Sequence, residues 1–193
     1  MINLTSSPEI IHYPVMLNEV TKICSPRNGG TFVDCTFGGG GYSKNILKFN
    51  NTKVLAFDRD KFILTVSKKL EKQYPKRFFF YQKKFSQIDT VINDESAEAV
   101  IFDLGLSAIQ LKNLDRGFSF HSKSSLDMSM GLSKISAEEV VNKFSAQQLK
   151  LIIKILGEEK DASVIAKNIV KARSISKIVR VDQLVDIIKR SKK

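Results

Sequence analysis

Residues suited to metal or thiol chemistry are few. The 193-residue chain holds two cysteines, Cys24 and Cys35, and two histidines, His12 and His121. The cysteines lack the short paired spacing of metal ligands, and two thiols make no disulfide framework, so the expectation is reduced, buried thiols in a cytoplasmic protein with no metal site. Both histidines read as loop residues rather than ligands or bases. No apolar run approaches the roughly 20 residues that a membrane helix needs, so no membrane partner is expected. The opening stretch MINLTSSPEIIHYP has no basic region leading into an apolar core, and no secretory signal is expected there. Internal repeats and low-complexity segments are missing as well.

Acid is the scarcer charge. There are 20 Asp and Glu against 31 Lys and Arg, a net charge of +11. A balance of that size points to a polyanionic partner, with nucleic acid the default candidate; the alternative is a lysine-rich solvated surface. The excess is concentrated late: from Lys160 to Lys193 there are ten basic residues and three Asp.

The hydrophobic pattern changes along the chain. Met16, Leu17, Val20 and Ile23 keep helical spacing. Short apolar runs follow at Thr31–Cys35, Val54–Phe57, Phe78–Tyr81 and Ala99–Leu104, separated by helical stretches at about Ser43–Phe49 and Lys61–Lys72. Short apolar runs alternating with helices predict βαβ units and a parallel sheet buried on both faces. Beyond about Gln110, a Ser- and Gly-rich segment from Asn113 to Leu132 reads as loop. After it, only helices are expected. Ser136–Glu139 and Ser145–Gln148 fit capping boxes, Leu149, Ile152, Ile153 and Leu156 keep helical spacing, and so do Val181, Leu184, Val185 and Ile188. The expectation is an α/β part over residues 1–110 and a small all-helical part over residues 111–193.

Between the first apolar run and the next helix stand four consecutive glycines, Gly38–Gly41, in TFVDCTFGGGGYSKNIL. A slack linker is one reading. A strand, a glycine-rich turn and a helix also make a nucleotide-type cofactor site, where the chain turns tightly and a ligand lies against the backbone. Asp58 supports the second reading: it ends the next apolar run, 20 residues past Gly38, where an acid can accept hydrogen bonds from ribose hydroxyls. The dinucleotide pattern G-x-G-x-x-G is not met cleanly. Asp34, four residues ahead of the glycines, would repel a pyrophosphate and suits a cationic ligand such as S-adenosylmethionine. Asp103 closes the fourth run. Ligands of open parallel sheets sit outside the carboxyl ends of the strands, so Asp34, Asp58 and Asp103 are expected to face one crevice.

HYPVMLNEV, DCTFGGGGYS, AFDRD, FDLGLSAIQL, DRGFSF, LDMSM and GEE occur in the order and spacing of the bacterial 16S ribosomal RNA (cytosine N4)-methyltransferases, which the chain resembles from His12 to its end. The DRGFSF…LDM segment carries most of the specificity. The resemblance implies the first half of a class I methyltransferase (Rossmann-like) parallel sheet, about four strands, followed by an inserted all-helical domain. It implies S-adenosylmethionine as methyl donor, a decoding-site cytidine of 16S ribosomal RNA in the small subunit as acceptor, and cofactor contacts at Gly40, Gly41, Tyr42, Asp58, Phe85, Asp103 and Gln110. Asp58 would hold the ribose, Phe85 would pack near the adenine, and Asp103 and Gln110 would line the methionine side and the entrance for the base. No catalytic residue is singled out; Asp103 and Ser107 are the nearby candidates for handling the amine proton. The sequence departs from the family at Tyr42, where His is usual, in LSAIQL, which replaces V-S-S-P-Q-L, and at Ser129, where Arg is usual. Family members are also longer, so the chain reads as C-terminally truncated, with its fourth strand left as an exposed apolar edge.

Other readings stay open at this level. They are a class I methyltransferase with another acceptor, a dinucleotide-dependent oxidoreductase, and a catalytically inactive RNA-binding fragment.

Overall fold

The computed structural model describes residues 13–192. His12 and the opening stretch lie outside the described residues. The chain divides into two compact units between Ile109 and Gln110.

In the first unit, α1 (Leu17–Cys24) precedes β1 (Gly30–Asp34), α2 (Gly41–Ile46), β2 (Thr52–Phe57), α3 (Leu64–Gln73), β3 (Phe78–Tyr81) and β4 (Ala99–Ile101). The strands form one parallel sheet in the order β3-β2-β1-β4. Both of its faces are covered, because successive side chains on a strand point to opposite sides. Phe32, Val54, Ala56 and Phe78 pack with Ile46, Leu47 and Leu70 from the helices. Val33, Leu55 and Phe57 pack on the other side against Phe79, Tyr81, Ile88, Val91 and Ile92. That second layer is irregular apart from 3-10 turns over Phe85–Thr90.

The register brings the carboxyl ends to one level: Asp34 of β1 stands beside Ala56 of β2 and Ile101 of β4, and Ala56 stands beside Phe80 of β3. Several expected boundaries move. The fourth strand ends at Ile101 rather than Leu104, since β1 ends at Asp34 and residues 102–104 have no strand to pair with on that side, only the Thr36 side chain reaching the Asp103 N–H. The helix after the glycines starts at Gly41, two residues early, and Lys61–Ile63 is a 3-10 turn before α3, with the Asp60 carboxylate accepting the Phe62 N–H at 3.1 Å. Ile23 does not join the apolar face of α1: it is 83% exposed, and Leu17 and Val20 make the contact with the core.

The boundary falls within α4 (Ala108–Lys112); the second unit continues with an irregular segment with one 3-10 turn at Leu114–Arg116, then α5 (Ala137–Lys143), α6 (Ala146–Ile155), α7 (Ala162–Arg173) and α8 (Val181–Ser191). Leu126, Val141, Leu149, Ile165, Ile169, Ile178 and Val181 form its core. The capping box at Ser145 and Gln148 is complete, with bonds of 3.2 and 2.9 Å. The one at Ser136 is half formed: its hydroxyl accepts the Glu139 N–H, but the Glu139 carboxylate reaches forward to Lys143 at 2.6 Å. The Ser-rich segment is organised by Arg116, a buried side chain that stacks on Phe118 and donates to the Ser129 carbonyl. Among the described residues no helix is long and apolar enough to cross a membrane.

Candidate functional site

The glycines turn the chain from β1 into α2, and two of them are required by close packing inside the protein. A Cβ on Gly40, whose φ is +75°, would stand 2.8 Å from the Phe37 ring. A Cβ on Gly41 would stand 2.0 Å from Cγ of Pro14. Gly38 differs. Its φ is +49°, yet a Cβ there would meet nothing closer than the Thr36 carbonyl at 3.8 Å and Ser107 Cβ at 3.9 Å. This is the face of the turn that a ligand can approach.

Asp58, one residue past β2, clamps that turn. Its Oδ2 accepts the Gly38 N–H at 2.8 Å and its Oδ1 accepts the Asp60 N–H at 2.9 Å. Burial pushes its carboxyl above the usual carboxylate range, against these two bonds. The Arg59 N–H reaches the same carboxylate, so of its about four lone-pair sites one remains for a ligand.

Asp103, two residues past β4, is tied to the same turn. Its N–H donates to Thr36 Oγ1 at 2.8 Å. Its Oδ2 lies 3.4 Å from the Tyr42 hydroxyl, which makes its shorter bond, 2.6 Å, to the Val15 carbonyl. Burial, with Asp103 second, pushes the Tyr42 phenol up to about 12. Tyr42 therefore keeps its proton near neutrality and acts as a donor.

Asp34 corrects an expectation. It does not face the crevice with Asp58 and Asp103. It is fully buried, with Oδ2 accepting from Ser43 Oγ at 2.7 Å and Oδ1 from the Thr36 N–H at 3.2 Å. Strand alternation explains this: Asp34 follows Phe32 by two and points to the side that α2 covers. Burial raises its carboxyl to about 6, partly offset by the Ser43 bond. Burial also raises the adjacent Cys35 thiol, to about 11. That thiol is inert at neutral pH.

Phe85 follows β3 and is 43% exposed, with its ring at 5.5 Å and 89° to that of Phe102, which is 50% exposed. Two exposed aromatic rings in an edge-to-face pair offer an apolar surface, with one ring face open to a planar group. Gln110 is buried on α4 and falls in the second unit. Sequence reasoning missed Thr36, Phe102 and Arg116. Thr36 and Phe102 each adjoin a residue already singled out, and an aromatic beside a strand-end acid was the available signal for Phe102.

The basic end of the chain is partly neutralised. Lys177 pairs with Glu138, Arg180 with Asp182 and Lys192 with Glu159, while Arg173 donates to the Val141 carbonyl. Lys160, Lys167, Lys171, Lys189 and Arg190 are exposed and have no ion-pair partner among the described residues.

Comparison with known proteins places this arrangement. The chain is 41% identical over 180 residues to the ribosomal RNA small subunit methyltransferase H of Orientia tsutsugamushi (strain Ikeda), an alignment covering 93% of this chain and 58% of that protein. It is 40% identical over 185 residues to the protein of that name from Neorickettsia sennetsu, covering 95% of this chain and 62% of the relative, and 40% identical over 183 residues to the one from Ehrlichia ruminantium (strain Welgevonden), covering 92% and 61%. The chain thus spans about three fifths of the length of these curated relatives. Residues 9–193 match the sequence profile of the MraW methylase family, and the chain belongs to that family.

Proposed function

We propose that the chain binds S-adenosylmethionine against the Gly38 turn and forms the cofactor-binding part of an enzyme that methylates N4 of a decoding-site cytidine in 16S ribosomal RNA. The observation that carries the reading is the Asp58 clamp. One carboxylate holds the open-faced turn at Gly38 and keeps a lone pair for a ribose hydroxyl. The group fits what is present: an acid at the ribose position, an open backbone face, the exposed Phe85–Phe102 pair for a planar base, and negative charge from Asp58 and Asp103 for a cation.

When bound, the cofactor supplies a methyl group on a positively charged sulfur. The protein's part is chiefly positioning, since cytosine's exocyclic amine is a weak nucleophile and must meet the methyl carbon in line. Asp58 orients the ribose. Phe85 and Phe102 exclude water from the base. Tyr42 stays protonated and spends its proton on the Val15 carbonyl, leaving the Asp103 carboxylate, 3.4 Å from that hydroxyl, as an acceptor that aligns the amine and takes up its proton. The target base is unstacked to reach the pocket, and the exposed lysines of α7 and α8 hold RNA phosphates.

Isothermal titration with S-adenosylmethionine tests the reading, with Asp58→Asn as the control, its fold checked by thermal unfolding because the amide can accept only one of the two backbone N–H bonds. Saturable binding is expected, weakened at least roughly tenfold in the variant, as for a lost hydrogen bond to a charged group. No binding by the folded wild-type chain overturns it. One observation favours a second reading, an RNA-binding chain without turnover. Val100 on β4 is 44% exposed and Leu104 beyond it 70%, an apolar edge beside Asp103 that leaves the acceptor side open. Binding without methylation of small ribosomal subunits would select that reading.

A further inference from the structure

The amino ends of β1 and β2, opposite the carboxyl ends where Asp58 and Asp103 lie, carry a second cavity, of about 430 Å³. Asn18, Thr21, Lys22 and Ser25 line one wall of it. Their spacing is i, i+3, i+4, i+7, which is a single face of α1 and the turn that ends it. Arg27 and Asn28, in the 3-10 turn leading to β1, and Phe49, just ahead of β2, complete the lining. Two of the lining side chains are cationic and none is acidic. Among the described residues, the Lys22 ammonium, the Arg27 guanidinium and the amides of Asn18 and Asn28 have no protein partner.

The frame is held in place. Thr21 Oγ1 donates to the Leu17 carbonyl and accepts from Asn45 Nδ2, both at 2.6 Å. Arg77 donates to the carbonyls of Leu47 and Thr52, each at 2.9 Å, which fixes the backbone on either side of Phe49. A helix carboxyl end ordinarily repels anions through its unpaired carbonyls. Here two are capped: Ser25 donates to the Thr21 carbonyl through its N–H and to the Lys22 carbonyl through its hydroxyl, both at 3.1 Å.

We infer that this cavity is a second nucleotide subsite for single-stranded RNA, distinct from the pocket for the reacting base. Lys22 and Arg27 hold a phosphate, the half-buried Phe49 ring stacks a base, and Asn18 and Asn28 meet the base edge. Phosphate contacts give affinity without sequence preference, and an aromatic platform accepts any base. The observations favour RNA over a free anion because an aromatic ring and two amides stand beside the cations, which a phosphate alone would not use. The inference rests on the RNA reading of this chain, and it places a contact outside the lysine-rich second unit.

The test is fluorescence anisotropy of the full chain with a labelled single-stranded decanucleotide at several salt concentrations. Wild type is compared with Lys22→Gln/Arg27→Gln and with Phe49→Leu. The double variant changes exposed side chains only. It is expected to bind roughly tenfold more weakly and to lower the slope of log Kd against log salt by about 0.7, the value for one phosphate on a single strand. Phe49→Leu is expected to weaken binding roughly tenfold with the slope unchanged, the signature of lost stacking. Titration of each variant with S-adenosylmethionine should match wild type, which excludes misfolding. Unchanged RNA affinity and slope in both variants overturns the second subsite and leaves the RNA reading standing. Equal weakening for inorganic polyphosphate and RNA, with no effect of Phe49→Leu, also overturns it, in favour of a simple anion site. A wild-type chain that binds no RNA overturns both.

Discussion

Asp34 carries a charge that its surroundings oppose. Its carboxyl is held at about 6 in the folded protein by burial, against an ordinary 3.8. Between these values the folded state binds a proton that the unfolded chain has released, so stability falls as pH rises from about 4 to 6 and then levels off. A difference of this size corresponds to roughly 3 kcal/mol at most. Asp34→Asn keeps an acceptor for the Thr36 N–H and offers an amide to Ser43, so it should flatten that decline and raise stability above pH 6. Denaturant midpoints at pH 4, 5, 6 and 7 check this. Some slope should remain, because the Asp58 carboxyl is raised as well. The same decline in the variant as in wild type would mean that Asp34 is ionised at no cost. Tyr42 makes the opposite kind of contribution. Tyr42→Phe removes the 2.6 Å bond to the Val15 carbonyl and the contact to Asp103. It should lower stability by about 1 kcal/mol, the usual net value of such a bond, since the Val15 carbonyl regains water. Unchanged denaturant midpoints would show that this bond adds nothing.

At the scale of the element, the glycine turn separates stability from binding. Gly41→Ala drives a methyl to 2.0 Å from Pro14. The backbone on both sides must shift, and the expected loss is about 1–3 kcal/mol, as for other overpacked sites. Gly38→Ala meets no such contact; its cost is the positive φ, about 1 kcal/mol. Its methyl occupies the face beside Ser107, so S-adenosylmethionine affinity should fall sharply while stability drops only by about that 1 kcal/mol. The reverse pattern, with Gly38→Ala unfolding the protein and Gly41→Ala merely weakening the ligand, would show that the open face is wrongly placed. The turn also shows what a sequence can carry. Strand, glycines, helix and Asp58 were legible because each follows from local pattern and fixed spacing. That Asp34 turns inward was not, since it depends on which face α2 covers. Nor was the early end of β4, which depends on where β1 stops. The Phe85–Phe102 pair joins loops after two strands at opposite edges of the sheet, and no periodicity in the chain announces such a meeting.

Across the whole molecule, each unit has an apolar core of its own, one on the two faces of the sheet and one among α5–α8. The aromatic composition lets each be followed separately. All four tyrosines, Tyr13, Tyr42, Tyr74 and Tyr81, precede Ile109, and there is no tryptophan, so tyrosine fluorescence reports the first unit alone. Most of the α-helix lies in the second unit, which therefore dominates ellipticity at 222 nm. S-adenosylmethionine at a hundred times its Kd should stabilise the unit that binds it by about 2.7 kcal/mol. For a unit of this size that is a rise in Tm of roughly 10–20 °C. The expected result is a tyrosine transition moved up by that amount and a helical transition that stays where it was. A tyrosine transition that does not move would remove the cofactor from the first unit. Both transitions moving together would mean that the two cores unfold as one, and that ligand energy gained at the Gly38 turn also stabilises the helices that carry the exposed lysines.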